Sequence, residues 1–136
     1  MGSKLVLLVD DEELAMSYYV RALKRKGFEV KQCYDPDEAL LLVEKDHPDL
    51  AAISVDIMMP SGRRYSDRET NQGLRSGILL YHELRRHYPE TPVVILTHVS
   101  TQETLDEFPP ALSVKVLQKL DMPPADFAIL IDELTN

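Results

Sequence analysis

The sequence has a single cysteine, Cys33. No internal disulfide can form, and this usage fits a reducing compartment, so a cytoplasmic location is the expectation. No apolar run approaches the roughly 20 residues that a membrane-spanning helix needs, which argues against membrane insertion. The N-terminus lacks the basic-then-apolar pattern and cleavage site of a secretory signal. Cations are scarce: 15 Lys and Arg stand against 23 Asp and Glu, a net charge of −8. That balance disfavours direct binding to nucleic acid or to an anionic membrane surface. No glycine-rich phosphate loop occurs. His47, His82 and His87 have no Cys or His partner at ligand spacing, so no transition-metal site is indicated.

What remains is 136 residues, 44% hydrophobic and 28% charged, the profile of one globular domain with one real core. Residues 4–134 read as that domain. Met1-Gly2-Ser3 is compatible with a cloning remnant.

Short apolar runs alternate with amphipathic stretches. Lys4–Val9 is apolar and ends in Asp10-Asp11-Glu12, which suits a buried parallel strand. Leu14–Lys26 reads as a helix whose core stripe is Leu14, Tyr18 and Ala22, joined by Ala15, Tyr19 and Leu23, with Gly27 as its stop. Phe28–Tyr34 is a second strand, and Asp35 caps a helix that runs from Pro36 to about Asp46. Asp49–Val55, Pro92–Leu96 and Ser113–Gln118 supply three more strands. Gly77–Tyr88, a short stretch at Thr101–Phe108, and a last segment carrying Phe127, Leu130, Ile131 and Leu134 supply helices. Ser61–Ser76 is polar and reads as a loop.

Five alternations of strand and helix predict an α/β fold: a doubly wound parallel sheet with helices on both faces. In such sheets ligands gather beyond the carboxyl ends of the strands. Those ends carry Asp10-Asp11, Asp56, Thr97 and Lys119. Carboxylates brought together repel unless a cation offsets them, and Mg²⁺ prefers such oxygen ligands. A lysine and a hydroxyl opposite them could steady a phosphoryl group in transfer, and an aspartate can accept it as an acyl phosphate.

The arrangement resembles the receiver domain of bacterial two-component response regulators. The residues that carry the likeness are Leu8-Val9-Asp10-Asp11-Glu12, Asp56-Ile57-Met58-Met59-Pro60, Leu96-Thr97 and Leu117-Gln118-Lys119, with 45 positions from Asp11 to Asp56 and 22 from Thr97 to Lys119. The resemblance covers nearly the whole chain. It implies a flavodoxin-like sheet of strand order 2-1-3-4-5 and a signalling module rather than an enzyme. Asp56 would accept phosphoryl from a sensor histidine kinase. Asp11, Asp56 and the main-chain carbonyl of Met58 would hold Mg²⁺ (or Mn²⁺), with Asp10 contributing through water. Thr97 and Lys119 would bind the phosphoryl oxygens and report the change to a downstream protein or effector domain. Helix Leu14–Lys26 and the turn after Lys119 would face the kinase, and a homodimer is an open option. Competing readings are an aspartate-nucleophile phosphatase, disfavoured because Met58 stands where its general acid belongs, and a docking or dimerisation module that has lost phosphorylation.

Several residues depart from the family's pattern. Ser61–Ser76 is much longer than the usual connection and carries Arg63, Arg64, Arg68 and Arg75 against Asp67 and Glu69, a local +2. It is expected to be either a solvated excursion or a lid that brings an arginine to the phosphoryl group. Leu120 replaces the family's proline after the lysine, and Val116 replaces its aromatic switch residue. His98 stands where a small residue is usual. Met58 and Val99, which would flank the phosphoryl group, are both apolar, so a long-lived phosphoaspartate is expected.

Overall fold

The computed structural model describes residues 3–98, 102–108 and 113–136. Five strands, β1 (Leu5–Val9), β2 (Glu29–Cys33), β3 (Leu50–Val55), β4 (Val93–Thr97) and β5 (Val114–Gln118), form one parallel sheet of order β2-β1-β3-β4-β5. Helices α1 (Glu13–Arg25), α2 (Pro36–Asp46), α3 (Ser76–His87), α4 (Gln102–Asp106) and α5 (Pro124–Thr135) cover it. A 3₁₀ turn, Lys119–Asp121, joins β5 to α5.

The continuous apolar runs make sense because the strands are covered on both faces. Val6 and Leu8 of β1 point to one side, with Met16, Tyr19 and Leu23 of α1 and Phe127 and Ile131 of α5. Leu7 and Val9 point to the other side, with Ala39, Leu40 and Val43 of α2 and Ile78 and Leu84 of α3. The rings of Tyr19 and Phe127 meet edge to face at 5.3 Å, which locks α1 onto α5. Cys33 is buried in the second layer, and burial pushes its thiol up to about 12, so it is an inert filler rather than a redox group.

Helix signals act as expected at α2, where the Asp35 carboxylate accepts from Glu38 N–H at 2.8 Å and Pro36 opens the first turn. Gly27 ends α1 with φ +95°, a value that favours glycine. The buried stripe of α1 keeps Tyr19 and Leu23 of the expected one but not Leu14 or Tyr18. Leu14 and Tyr18 are exposed, and Met16, Tyr19 and Leu23 face the core. At 3.6 residues per turn two overlapping stripes were available, and packing against α5 selects between them.

The segment before α3 is mostly exposed, as a solvated loop would be, but Ser61, Tyr65, Thr70 and Gly73 are buried and anchor it. Residues 61–75 fold into a turn-rich knob seated beside α2 and α3. The Tyr65 side chain enters the α2–α3 core. Ser66 and Glu69 cap each other reciprocally at 3.0 Å. Ser61 Oγ lies 2.6 Å from Thr70 Oγ1, and Thr70 Oγ1 accepts from Gly73 N–H at 3.0 Å. The backbone N–H groups of Arg63 and Arg64 donate to the Asp37 carboxylate at 2.6 and 3.0 Å. Gly62 permits this approach: its φ is +73°, and a Cβ there would lie 2.8 Å from that carboxylate. Arg64 forms a bidentate pair with Glu44 of α2, and Arg75 bonds Glu107 just after α4 at 2.8 Å. Arg75 also lines a cleft of about 250 Å³ beside Met58. Both of these guanidiniums are thus engaged with glutamates.

Candidate functional site

The topology delivers the site. Val9 and Val55 are register partners in neighbouring strands, so Asp10 and Asp56, one residue further on, emerge side by side. Backbone bonds fix both exits: Asp10 N–H donates to Cys33 O at 3.0 Å, and Asp56 N–H to Val9 O at 2.9 Å. Thr97 closes β4 beside Gln118 of β5 and is buried. Lys119 follows at once, and the 3₁₀ turn carries its side chain inward while Leu120 faces solvent. No peptide bond is cis among the described residues, so the turn reaches this pose without the proline.

Lys119 is the hub. Its ammonium lies 2.8 Å from Asp10 Oδ2, 2.7 Å from Glu12 Oε1 and 3.2 Å from Asp56 Oδ2. Asp10, Asp56 and Lys119 are only 3%, 4% and 7% exposed. That burial makes their mutual compensation obligatory, because an unpaired charge here would be costly. Asp11 is exposed at the mouth, yet carboxylate oxygens of Asp10, Asp11 and Asp56 all lie within 4.8 Å of one another.

The electrostatics follow from burial and crowding. Desolvation, and then the charge of Asp10, push the Asp56 carboxyl up to about 6, despite the opposing pull of Lys119. Burial likewise raises Asp10, against the hydrogen bond from Lys119. For Lys119 burial pulls downward, but its bonds to Asp10 and Glu12 and the neighbouring negative charges more than offset this and hold it above the usual lysine range. Glu12 is lowered, chiefly by its hydrogen bond from Lys119. Three carboxylates crowded to this degree form a donor set of hard oxygens, and one lysine does not neutralise them; the set fits a small divalent cation such as Mg²⁺.

Five expected site residues, Asp10, Asp11, Asp56, Thr97 and Lys119, therefore converge on the same end of the sheet. Met58 follows Asp56 by two positions and is 40% exposed. Val99 lies outside the described residues, as does Thr101 at the start of the expected fourth helix. Two neighbours given no part in the chemistry join the site: Glu12, and His98, whose Nε2 lies 3.1 Å from Glu12 Oε1. The available signal for Glu12 was its position directly after the aspartate pair.

A parallel sheet of this order with an acidic, lysine-bearing carboxyl rim defines a class of phosphoaccepting signalling modules. The response regulator receiver domain model matches residues 6–123, and the chain belongs to that family. The fold is similar to that of chemotaxis protein CheY4 of Vibrio cholerae (TM-score 0.76, 22% identity, covering 98% of this chain and 99% of that one). It is similar to a response regulator receiver protein from Sinorhizobium medicae (TM-score 0.77, 18% identity, 98% and 95% covered). A CheY-like receiver domain from Methanospirillum hungatei matches with a TM-score of 0.74 at 19% identity, over 97% and 93% of the two chains. No described helix is long and apolar enough to cross a membrane.

Proposed function

We propose that this receiver takes a phosphoryl group from a sensor histidine kinase onto Asp56 in a Mg²⁺-dependent step, and that Thr97 and Lys119 convert its arrival into a change of conformation. The observation that carries the reading is Lys119 held between Asp10 and Asp56 with Asp11 alongside. An Asp56 carboxylate oxygen attacks phosphorus as the P–N bond of a phosphohistidine breaks. The imidazole keeps the electron pair, and Asp56 becomes an acyl phosphate. Asp11 and Asp56, with the Met58 carbonyl and, through water, Asp10, would hold the metal ion; when bound it neutralises charge on the phosphoryl oxygens. Lys119 loses part of its carboxylate partner when Asp56 is acylated and turns to a phosphoryl oxygen. Thr97 donates its hydroxyl proton to another. This added charge biases the segment leading from β4 to α4.

Intact-mass measurement after exposure to acetyl phosphate tests the reading. One phosphoryl group should appear, and only when both Mg²⁺ and Asp56 are present; the Asp56→Asn protein should stay unmodified. An adduct on Asp56→Asn, or none on the wild type with Mg²⁺, would refute it, the latter result favouring a docking module.

The adduct is also expected to persist. The apolar Met58 side chain cannot orient an attacking water by hydrogen bonding. Met58→Asn should shorten the lifetime about fivefold, equivalent to about 1 kcal/mol for one hydrogen bond. Equal decay rates in the two proteins would contradict this.

A further inference from the structure

We infer that Glu12 is a positioning residue that restrains Lys119 and so slows phosphoryl transfer. The inference rests on the proposed phosphoacceptor role of Asp56 and deepens it.

An ammonium has three N–H donors. In this protein the ammonium lies 2.7 Å from Glu12 and 2.8 Å from Asp10, against 3.2 Å from Asp56. Lys119 is therefore held closer to Glu12 and Asp10 than to Asp56, the residue whose new charge it must meet. The partners differ in freedom. Asp10 is buried and doubly committed, since its Oδ1 also accepts from Glu12 N–H at 2.9 Å. Glu12 has 40% of its side chain exposed, so water can take over its carboxylate once Lys119 departs. His98 Nε2 approaches the same Oε1 atom at 3.1 Å, a second group poised to keep that oxygen occupied after release. Glu12 is thus the contact that Lys119 can surrender. Until it does, the cation is shared and gives less to an arriving phosphoryl oxygen. Glu12 also adds one negative charge beside the path of an anionic donor.

The test is the rate of Asp56 labelling by acetyl phosphate at saturating Mg²⁺. Glu12→Gln should label about three to ten times faster than wild type, with its urea midpoint nearly unchanged. A residue acting only on local packing would not raise this rate. The gain should fall to less than half in a Lys119→Met background, in which there is no cation to release; Mg²⁺ is kept present to support that variant. Glu12→Asp gives a second measure that needs no lysine variant: it retains the charge but shortens the reach, so it should recover part of the gain. Labelling of Glu12→Gln at or below the wild-type rate would overturn the inference while leaving Asp56 as the acceptor. So would a full gain in the Lys119→Met background, or a Glu12→Asp rate equal to wild type, since Glu12 would then act by charge alone. A wild type that takes no phosphoryl group at Asp56 would overturn both readings, and the Asp56→Asn control identifies that case.

Discussion

Gly77→Ala should be among the most damaging single substitutions in this protein, although it adds one methyl group and leaves every proposed reacting residue in place. Gly77 lies in the first turn of α3, and its role is proximity rather than unusual dihedral angles. A Cβ built on it would fall 1.9 Å from Asp56 O, 2.6 Å from Ile57 Cα and 2.7 Å from Asp56 C. All three are backbone atoms, so no side chain can swing away. Nor can the backbone yield cheaply. Asp56 N–H is bonded to Val9 O at 2.9 Å, and Gly77 N–H to Ile57 O at 2.8 Å. Either α3 lifts off the sheet or the end of β3 shifts. The expected cost is about 3 kcal/mol or more, the upper range for overpacking a tight contact, out of a total of roughly 5–15 kcal/mol. Urea denaturation measures the first effect. Asp56 labelling in the surviving folded fraction measures the second, and should fall because the carboxylate is displaced from Lys119. An unchanged midpoint would show that the two elements separate without penalty.

Lys119→Met should produce a protein whose stability depends steeply on pH. Methionine fills similar volume but leaves Asp10 and Asp56 buried with no cation. Breaking a buried pair from one side typically costs about 3–5 kcal/mol. The sign follows from the carboxyl groups. A carboxyl raised above its unfolded value is most favourable while protonated, and it loses that advantage as pH climbs through its folded pKa. In the wild type Asp56 is pushed up to about 6, so nearly all of that advantage is already gone by neutral pH. Without Lys119 both carboxyls move higher still. The deficit of the variant should then be largest near pH 8, shrink as pH falls through 6, and be smallest near pH 5. Mg²⁺ should restore part of it at pH 8 by supplying the missing positive charge. Thermal unfolding across this range, with and without Mg²⁺, reads the pattern. A deficit of the same size at every pH would mean that lost packing, and not unpaired charge, is the cause.

The layout of the site was legible because parallel connections place every strand's carboxyl end on one rim. Asp10, Asp11, Asp56, Thr97 and Lys119 could be gathered from strand ends alone. Three features were not legible in this way. The buried face of α1 is set by packing against α5, distant in sequence, which takes Tyr19 and Leu23 with Met16 and leaves Leu14 and Tyr18 outside. The bond from Lys119 to Glu12 spans 107 positions and leaves no local mark. The knob before α3 has no hydrophobic period, since its order comes from Asp37 and Glu44 on another helix and from Tyr65 plugging a core built mostly by others. Polar composition pointed to a loop and carried no information about those anchors.

The neck of that knob has a consequence of its own. Met59 N–H donates to Gly73 O at 3.2 Å, and Ser76 Oγ donates to Met59 O at 2.7 Å. A Cβ on Gly73, whose φ is +90°, would lie 2.7 Å from Met59 O. The chain thus departs and returns through one closed gate, a few residues from Asp56, and the strand exit ahead of that gate has its own bonds. Beyond it the segment is anchored on Asp37 and Glu44 of α2 rather than on Asp56, so this point works as a socket. Shortening or exchanging what is plugged in there should leave the bonds that fix the exit of β3 in place.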